Sequence, residues 1–370
     1  MRIGFDGKRF FHNNTGLGNY SRSLIKVLSD NLPKNEYILY NPKKSGKYNL
    51  KNYKKSVIEV LPEKYLLKKM KSLWRLYFVS NKIKKQNLAI YHGLSGEIPL
   101  GLPNKIKKVV TIHDLIFIRY PNLYSYFDRK IHFLKFKYAA KYSDIIVAIS
   151  QQTKNDIISF LDISEDKIKV IYQGCNSVFK QKFSEIEIKN TIKKYNLPED
   201  YILNVGTIEK RKNLLIILKS ITNTNKNLVV IGKKTAYFNE IWNYILSNNL
   251  ENQVFFLKNL SLEEMAIIYQ KATLFIYPSI FEGFGIPIIE ALYSKTPVIT
   301  STGSCFSEAG GSHSIYINPE NSEEVREAID LLFNNPSKRN EMQERGFEFV
   351  QKFNDENIAK NWQELYQSLL

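Results

Sequence analysis

Two carboxylates eight residues apart, Glu282 and Glu290, flank a glycine-bearing stretch, Phe281-Glu282-Gly283-Phe284-Gly285-Ile286-Pro287-Ile288-Ile289-Glu290-Ala291. A carboxylate accepts hydrogen bonds from hydroxyls. The backbone N–H groups that open a helix lack intrahelical partners and favour negative charge. Both features in one stretch suit a ligand with hydroxyls and phosphates, such as a sugar nucleotide. An apolar run, Thr273–Tyr277, precedes them and reads as a buried strand, with a helix expected over Phe284–Tyr293. Glu282 then falls in the strand–helix loop, and Glu290 about two turns along the helix.

Three other loops carry chemistry, each following an apolar run. Gly206-Thr207-Ile208-Glu209-Lys210-Arg211-Lys212-Asn213 offers Arg211, which can fork two phosphate oxygens, and Lys212, a compact charge. The alternative is a solvated surface pair. Gly16-Leu17-Gly18 reads as a phosphate-facing glycine loop or a plain turn. It is not a dinucleotide fingerprint: Ser21 stands at the third glycine, and the second strand ends Leu39-Tyr40-Asn41 without the expected acid. His113, in Ile112-His113-Asp114, is either a ligand to a substrate hydroxyl or a histidine tied to Asp114. There is no H-E-x-x-H, D-x-D or cysteine cluster, so a metal is not expected. Arg211, Lys212 and helix N-termini would then neutralise a leaving diphosphate.

These loops need strands to hold them. Short unbroken apolar runs alternate with helical segments twice over, the pattern of α/β domains with parallel sheets buried on both faces. The chain of 370 residues is long enough for two such Rossmann-like domains. They are expected at residues 1–178 and 179–352, with a terminal helix over 353–370. The start, Met1-Arg2-Ile3-Gly4-Phe5, reads as a strand rather than a signal peptide. No run of about 18 apolar residues suggests a membrane span. Two distant cysteines give no disulfide framework, so a cytoplasmic setting is expected.

The formal net charge is +17, which implies an anionic partner or a lysine-rich surface. Residues 42–87 hold fourteen Lys or Arg and two acids. Within them Leu66, Leu67, Met70, Leu73, Trp74, Tyr77 and Phe78 fall at helical spacing among Lys64, Lys68, Lys69, Lys71 and Arg75. Such a helix either docks Lys68, Lys69, Lys71 and Trp74 on an anionic membrane or acceptor, or packs its stripe on the sheet.

Taken together, these motifs resemble the retaining glycosyltransferases of family 4, which have the GT-B fold. The likeness is strongest from Tyr277 to Ala291, the family's E-x7-E motif, and continues through Thr296-Pro297-Val298-Ile299-Thr300-Ser301. It implies two Rossmann-like domains facing across a cleft, with the C-terminal helix returning to the first. It also implies that Glu282 contacts the donor sugar and Glu290 the nucleotide ribose. Backbone groups across Gly283, Phe284, Gly285 and Ile286 would face sugar or phosphates. Arg211 and Lys212 would hold the diphosphate with the loop of Gly16 and Gly18, and His113 would lie against the transferred sugar. Three departures stand out. Thr207 replaces a common arginine. The loop Gly303–Gly311 replaces a serine–proline–glutamate turn, with Glu308 as its acid. Tyr172-Gln173-Gly174-Cys175-Asn176 replaces a Pro-Asn-Gly turn.

The expected function is metal-free transfer of a hexose, mannose among the candidates, from a GDP- or UDP-sugar to a lipid-linked or growing surface glycan. Peripheral contact with the inner membrane face is expected, and no nucleic-acid partner. A sugar-nucleotide epimerase or phosphorylase of the same fold is the alternative enzyme. A basic nucleic-acid-binding protein is the alternative of another class.

Overall fold

The computed structural model describes residues 1–63 and 74–370. Lys68, Lys69 and Lys71 lie outside the described residues. The chain forms two compact units, Met1–Gly174 with Phe353–Leu370, and Cys175–Lys352.

Unit 1 is built on seven strands: β1 (Arg2–Asp6), β2 (Glu36–Tyr40), β3 (Val57–Val60), β4 (Ile90–Gly93), β5 (Lys107–Ile112), β6 (Ile145–Ala148) and β7 (Ile168–Val170). Their order is β3-β2-β1-β4-β5-β6-β7, and every pairing is parallel. Unit 2 has β8 (Tyr201–Val205), β9 (Asn227–Ile231), β10 (Val254–Leu257), β11 (Leu274–Tyr277), β12 (Val298–Ser301) and β13 (Ile315–Ile317). These run β10-β9-β8-β11-β12-β13, again all parallel. Parallel neighbours require crossovers, which the intervening helices supply. Covered on both faces, the central strands are apolar throughout: Leu274, Phe275, Ile276 and Tyr277 of β11 are all buried. In each sheet the strand order reverses at one point, β1/β4 in unit 1 and β8/β11 in unit 2. Ligands of open α/β sheets bind beyond the carboxyl ends of the strands at that point.

The sequence reading missed β3 and β13, short strands at or near a sheet edge. The polar stretch after Asn176 contains a helix, Glu185–Tyr195, opened by a capping box between Ser184 and Glu187. The helix after the E-x7-E loop begins at Ile286, two residues later than expected. Helices start at Pro336 and Asp355, where the side chains of Asn335 and Asn354 accept from Lys338 N and Asn357 N.

The last helix, Asp355–Gln367, belongs to unit 1. Ile358, Trp362 and Tyr366 join Leu24 and Leu28 of the helix Gly16–Asn31 in one buried cluster. His92 at the end of β4 is fully buried, and its ring meets Tyr366 Oη at 2.8 Å and Thr111 Oγ1 at 2.7 Å.

Trp74 corrects an expectation. It opens a π-helical turn, Trp74–Phe78, and lies buried among Val79, Ile83 and Ile98, so it presents nothing to a membrane. Tyr77 and Phe78 are exposed instead. The wider π turn breaks the 3.6-residue register on which the stripe was drawn. No helix among the described residues is long and apolar enough to cross a membrane.

Candidate active site

The loops after β8 and β11 meet at the switch point of unit 2. The Ile280 N–H donates to the Arg211 carbonyl at 2.9 Å, which ties the two loops together. Arg211 Nη1 reaches Glu282 Oε1 at 2.7 Å and the Phe281 carbonyl at 2.5 Å, and its Nη2 reaches Glu209 at 2.8 Å. Lys212 Nζ lies 2.6 Å from the same Glu282 oxygen and 2.5 Å from Tyr277 Oη. Arg211 and Lys212 are therefore not a solvated pair. Burial alone would raise the Glu282 carboxyl, but Lys212 and then Arg211 outweigh it and hold it at about 2. Glu282 is thus a fixed, ionised acceptor.

Its backbone is held as firmly as its side chain. Ser304 Oγ donates to the Glu282 carbonyl at 3.1 Å. Cys305 Sγ donates to the same carbonyl at 3.2 Å and to that of Phe284 at 3.0 Å. The sequence reading had marked this loop only for Glu308. A thiol serving as a hydrogen-bond post for a neighbouring loop leaves no spacing signal. Gly285 caps the helix at φ +103°, a conformation that favours glycine, and a Cβ there would meet Ile288 Cδ1 at 3.1 Å. Pro287 follows in the first turn, where no N–H is needed. The Gly285 and Ile286 N–H groups open the helix ahead of the four-bond ladder.

Glu290 sits on that helix with a different environment. The Tyr269 hydroxyl donates to it at 3.1 Å, and no cation among the described residues pairs with it. Burial pushes its carboxyl up to about 7, against the smaller downward effect of that bond. One acid of the pair stays charged down to about pH 2, and the other titrates near neutrality.

In unit 1, Gly16 opens the helix Gly16–Asn31, and nothing lies within 4 Å of where its Cβ would be. At Gly18 a Cβ would stand 2.0 Å from the Asn13 carbonyl oxygen, so only glycine fits. Asn13 Oδ1 accepts from the N–H groups of Thr15 and Gly18. His113 is held by Leu94 and Gln173: Nε2–H donates to the Leu94 carbonyl at 2.9 Å, and Nδ1 accepts from Gln173 Nε2 at 3.0 Å. Burial, and less strongly Arg9, bring its pKa down to about 4 despite the Leu94 bond, so the ring is neutral. Asp114 Oδ1 accepts from the Ile116 N–H.

The family model for group 1 glycosyl transferases matches residues 186–349, and that for glycosyltransferase family 4 matches residues 16–178. Between them they take in well over half of the sequence. The chain belongs to the family 4 glycosyltransferases. An O-antigen chain mannosyltransferase of Salmonella typhimurium, RfbU, is 32% identical over 62% of this chain and 61% of its own length. The chain is thus matched to about three fifths of that relative. O-antigen chain mannosyltransferase B of Escherichia coli is 25% identical over 76% of this chain and 74% of its own. HepE of Anabaena, solved with UDP-glucose, superposes with a TM-score of 0.79 at 16% identity, covering 100% of both chains. That likeness gives the fold, GT-B.

Within this family 4 chain, the structure brings Arg211, Lys212, Glu282, Gly283, Phe284, Gly285, Ile286 and Glu290 to one switch point of unit 2. It places Gly16, Gly18 and His113 in unit 1. Sequence reasoning missed Tyr277, Tyr269, Ser304 and Cys305, which fix the charges and the loop around the two acids.

Proposed function

We propose that this glycosyltransferase moves mannose from GDP-mannose, with retention, to a lipid-linked or growing surface glycan. One observation carries the donor-site reading: Glu282 is buried, ionised and gripped by Arg211 and Lys212 directly before an open helix N-terminus. Sugar hydroxyls donate to a carboxylate, and an ionised acceptor makes the stronger bond. The diphosphate takes the other side of Arg211 and Lys212 with the helix start, which balances leaving-group charge without requiring a metal. Glu290 accepts from the ribose hydroxyls. The acceptor oxygen bonds to the anomeric carbon as its bond to the phosphate oxygen breaks, and the leaving phosphate takes the acceptor's proton. His113, neutral and bonded at both nitrogens, serves as a contact to the sugar rather than a proton donor. Mannose is preferred because the curated relatives quoted above are mannosyltransferases.

Peripheral membrane contact is also proposed. It is supported by Phe127, Ile131 and Leu134, all exposed on the helix Tyr126–Tyr142 beside exposed Lys130, Lys137 and Lys141.

The test is a thermal-shift and donor-hydrolysis screen against GDP-, UDP- and ADP-sugars in EDTA. GDP-mannose is expected to give the largest shift and measurable hydrolysis. A response to UDP-sugars alone would overturn the choice of base. Activity lost in EDTA and restored by Mg²⁺ would overturn the metal-free route.

A further inference from the structure

The mechanism above leaves unused a group of charges at the carboxyl end of β1. Asp6 and Glu97 stand at its centre. Asp6 Oδ1 accepts from the Lys8 N–H at 3.0 Å, and its other oxygen lies 3.6 Å from Arg75 Nη1. Arg75 Nη2 is paired with Glu97, whose second oxygen lies 3.3 Å from Lys135 Nζ. Arg75 is only 14% exposed, so this is a built network rather than a solvated face. Lys8, Arg9, Arg75 and Lys135 thus share two carboxylates, an excess of two positive charges.

Arg9 is the unsatisfied member. Its Nε is buried and has no hydrogen-bond partner among the described residues. A buried donor without a partner is costly, and oxyanions of phosphoryl groups are what an arginine fork matches best. Burial and then Arg75 and Arg9 bring Lys8 down to about 8, the response of a cation crowded by cations.

Lys135 links this group to an apolar surface. It lies one turn beyond Ile131 on the helix Tyr126–Tyr142, and residues four apart share a helix face. Phe127, Ile131 and Leu134 are 76, 52 and 60% exposed. A ligand with a phosphoryl head and an apolar tail would satisfy both.

We propose that Lys8, Arg9, Arg75 and Lys135 form a binding site for the phosphoryl head of an amphiphilic acceptor, separate from the donor site on Glu282. This rests on the glycosyltransferase reading for its purpose, but the site is testable without turnover. Calorimetry on the full chain would use inorganic pyrophosphate, farnesyl diphosphate, GDP-mannose and phosphatidylglycerol vesicles as probes. Lys8→Gln with Arg9→Gln should weaken farnesyl diphosphate roughly tenfold or more, since two charge-assisted partners are removed. GDP-mannose binding should change far less than farnesyl diphosphate binding, since Arg9 reaches the donor side only through its field on His113. Lys212→Gln should do the reverse. Arg9→Lys, which keeps the charge, should retain most of the binding and shows that the fold survives.

Farnesyl diphosphate should bind more tightly than pyrophosphate, and vesicle binding should survive the double variant. Diphosphate binding unchanged in the double variant, or lost in Lys212→Gln instead, would overturn the site. Farnesyl diphosphate binding no tighter than pyrophosphate, or vesicle binding lost in parallel, would overturn the amphiphilic acceptor. Wild-type protein that binds farnesyl diphosphate but no nucleotide sugar would sink the donor reading and leave this site standing.

Discussion

Glu290→Gln separates the two acids of the E-x7-E motif most sharply. With its carboxyl at about 7, Glu290 is about one tenth ionised at pH 6 and about nine tenths at pH 8. Ribose hydroxyls donate to the charged form, so binding must first remove the proton. Donor affinity should therefore weaken about tenfold from pH 8 to pH 6, or about 1.4 kcal/mol. A sugar nucleotide is the right ligand for calorimetry, because its diphosphate is diesterified and does not titrate across that range. At pH 6.5 binding should release about three quarters of a proton, read from buffers of different ionisation enthalpy. Glu290→Gln should bind more weakly and show neither effect. Stability runs the other way. The folded pKa lies above the ordinary 4.5, so the group's contribution is complete below 4.5 and lost as pH rises through about 7. Ligand-free Glu290→Gln should exceed wild type at pH 8 by roughly 3 kcal/mol at most and converge with it near pH 5. A wild-type affinity flat between pH 6 and 8, or a slope retained in Glu290→Gln, would refute the reasoning.

Glu282→Ala should abolish transfer and also destabilise unit 2 by about 3–5 kcal/mol, because it strands Lys212 and Arg211 in a buried site. Combining Glu282→Gln with Lys212→Met should recover much of that stability in urea melts without recovering turnover. Glu282 is depressed from 4.5 to about 2, so its stabilisation is present above pH 4.5 and should disappear in acid melts through about pH 2. Trp362→Ala should cost about 3–5 kcal/mol in unit 1, seen in chemical denaturation, since the ring is buried against His92. Cys175 and Cys305 are both buried, so neither should react with a thiol reagent until the protein unfolds.

The candidate site of unit 2 was legible in the sequence because its parts are local. Glu282, Gly285 and Glu290 lie within one strand–loop–helix unit, and the spacing itself says which sits in the loop. Their electrostatics were not legible. Arg211 and Lys212 stand some seventy positions earlier, and only the pairing of β8 with β11 carries them to Glu282. That neighbourhood makes Glu282 an ion-pair member and leaves Glu290 with a tyrosine. His92 gave no signal, being a lone histidine in an apolar run, yet it anchors the C-terminal helix. For Trp74 the sequence left docking on a membrane and packing on the sheet open, and the π turn, which sets the exposure of Tyr77 and Phe78, has no signal in a 3.6-residue period. Arg75 looked like one charge among fourteen, and its burial between Asp6 and Glu97 depends on strand ends far apart in sequence.

The docking of residues 353–370 on unit 1 also orders the events of synthesis. Unit 2 is one uninterrupted segment, Cys175–Lys352, whereas unit 1 is completed only by residues made after it, Phe353–Leu370. A nascent chain halted after Lys352 contains every strand of both sheets, but its His92 has no Tyr366 to meet. Leu24 and Leu28 likewise lack Trp362. Unit 1, begun before unit 2, is therefore finished after it. Until residues 353–370 emerge from the ribosome it carries an uncovered apolar face that chaperones must guard.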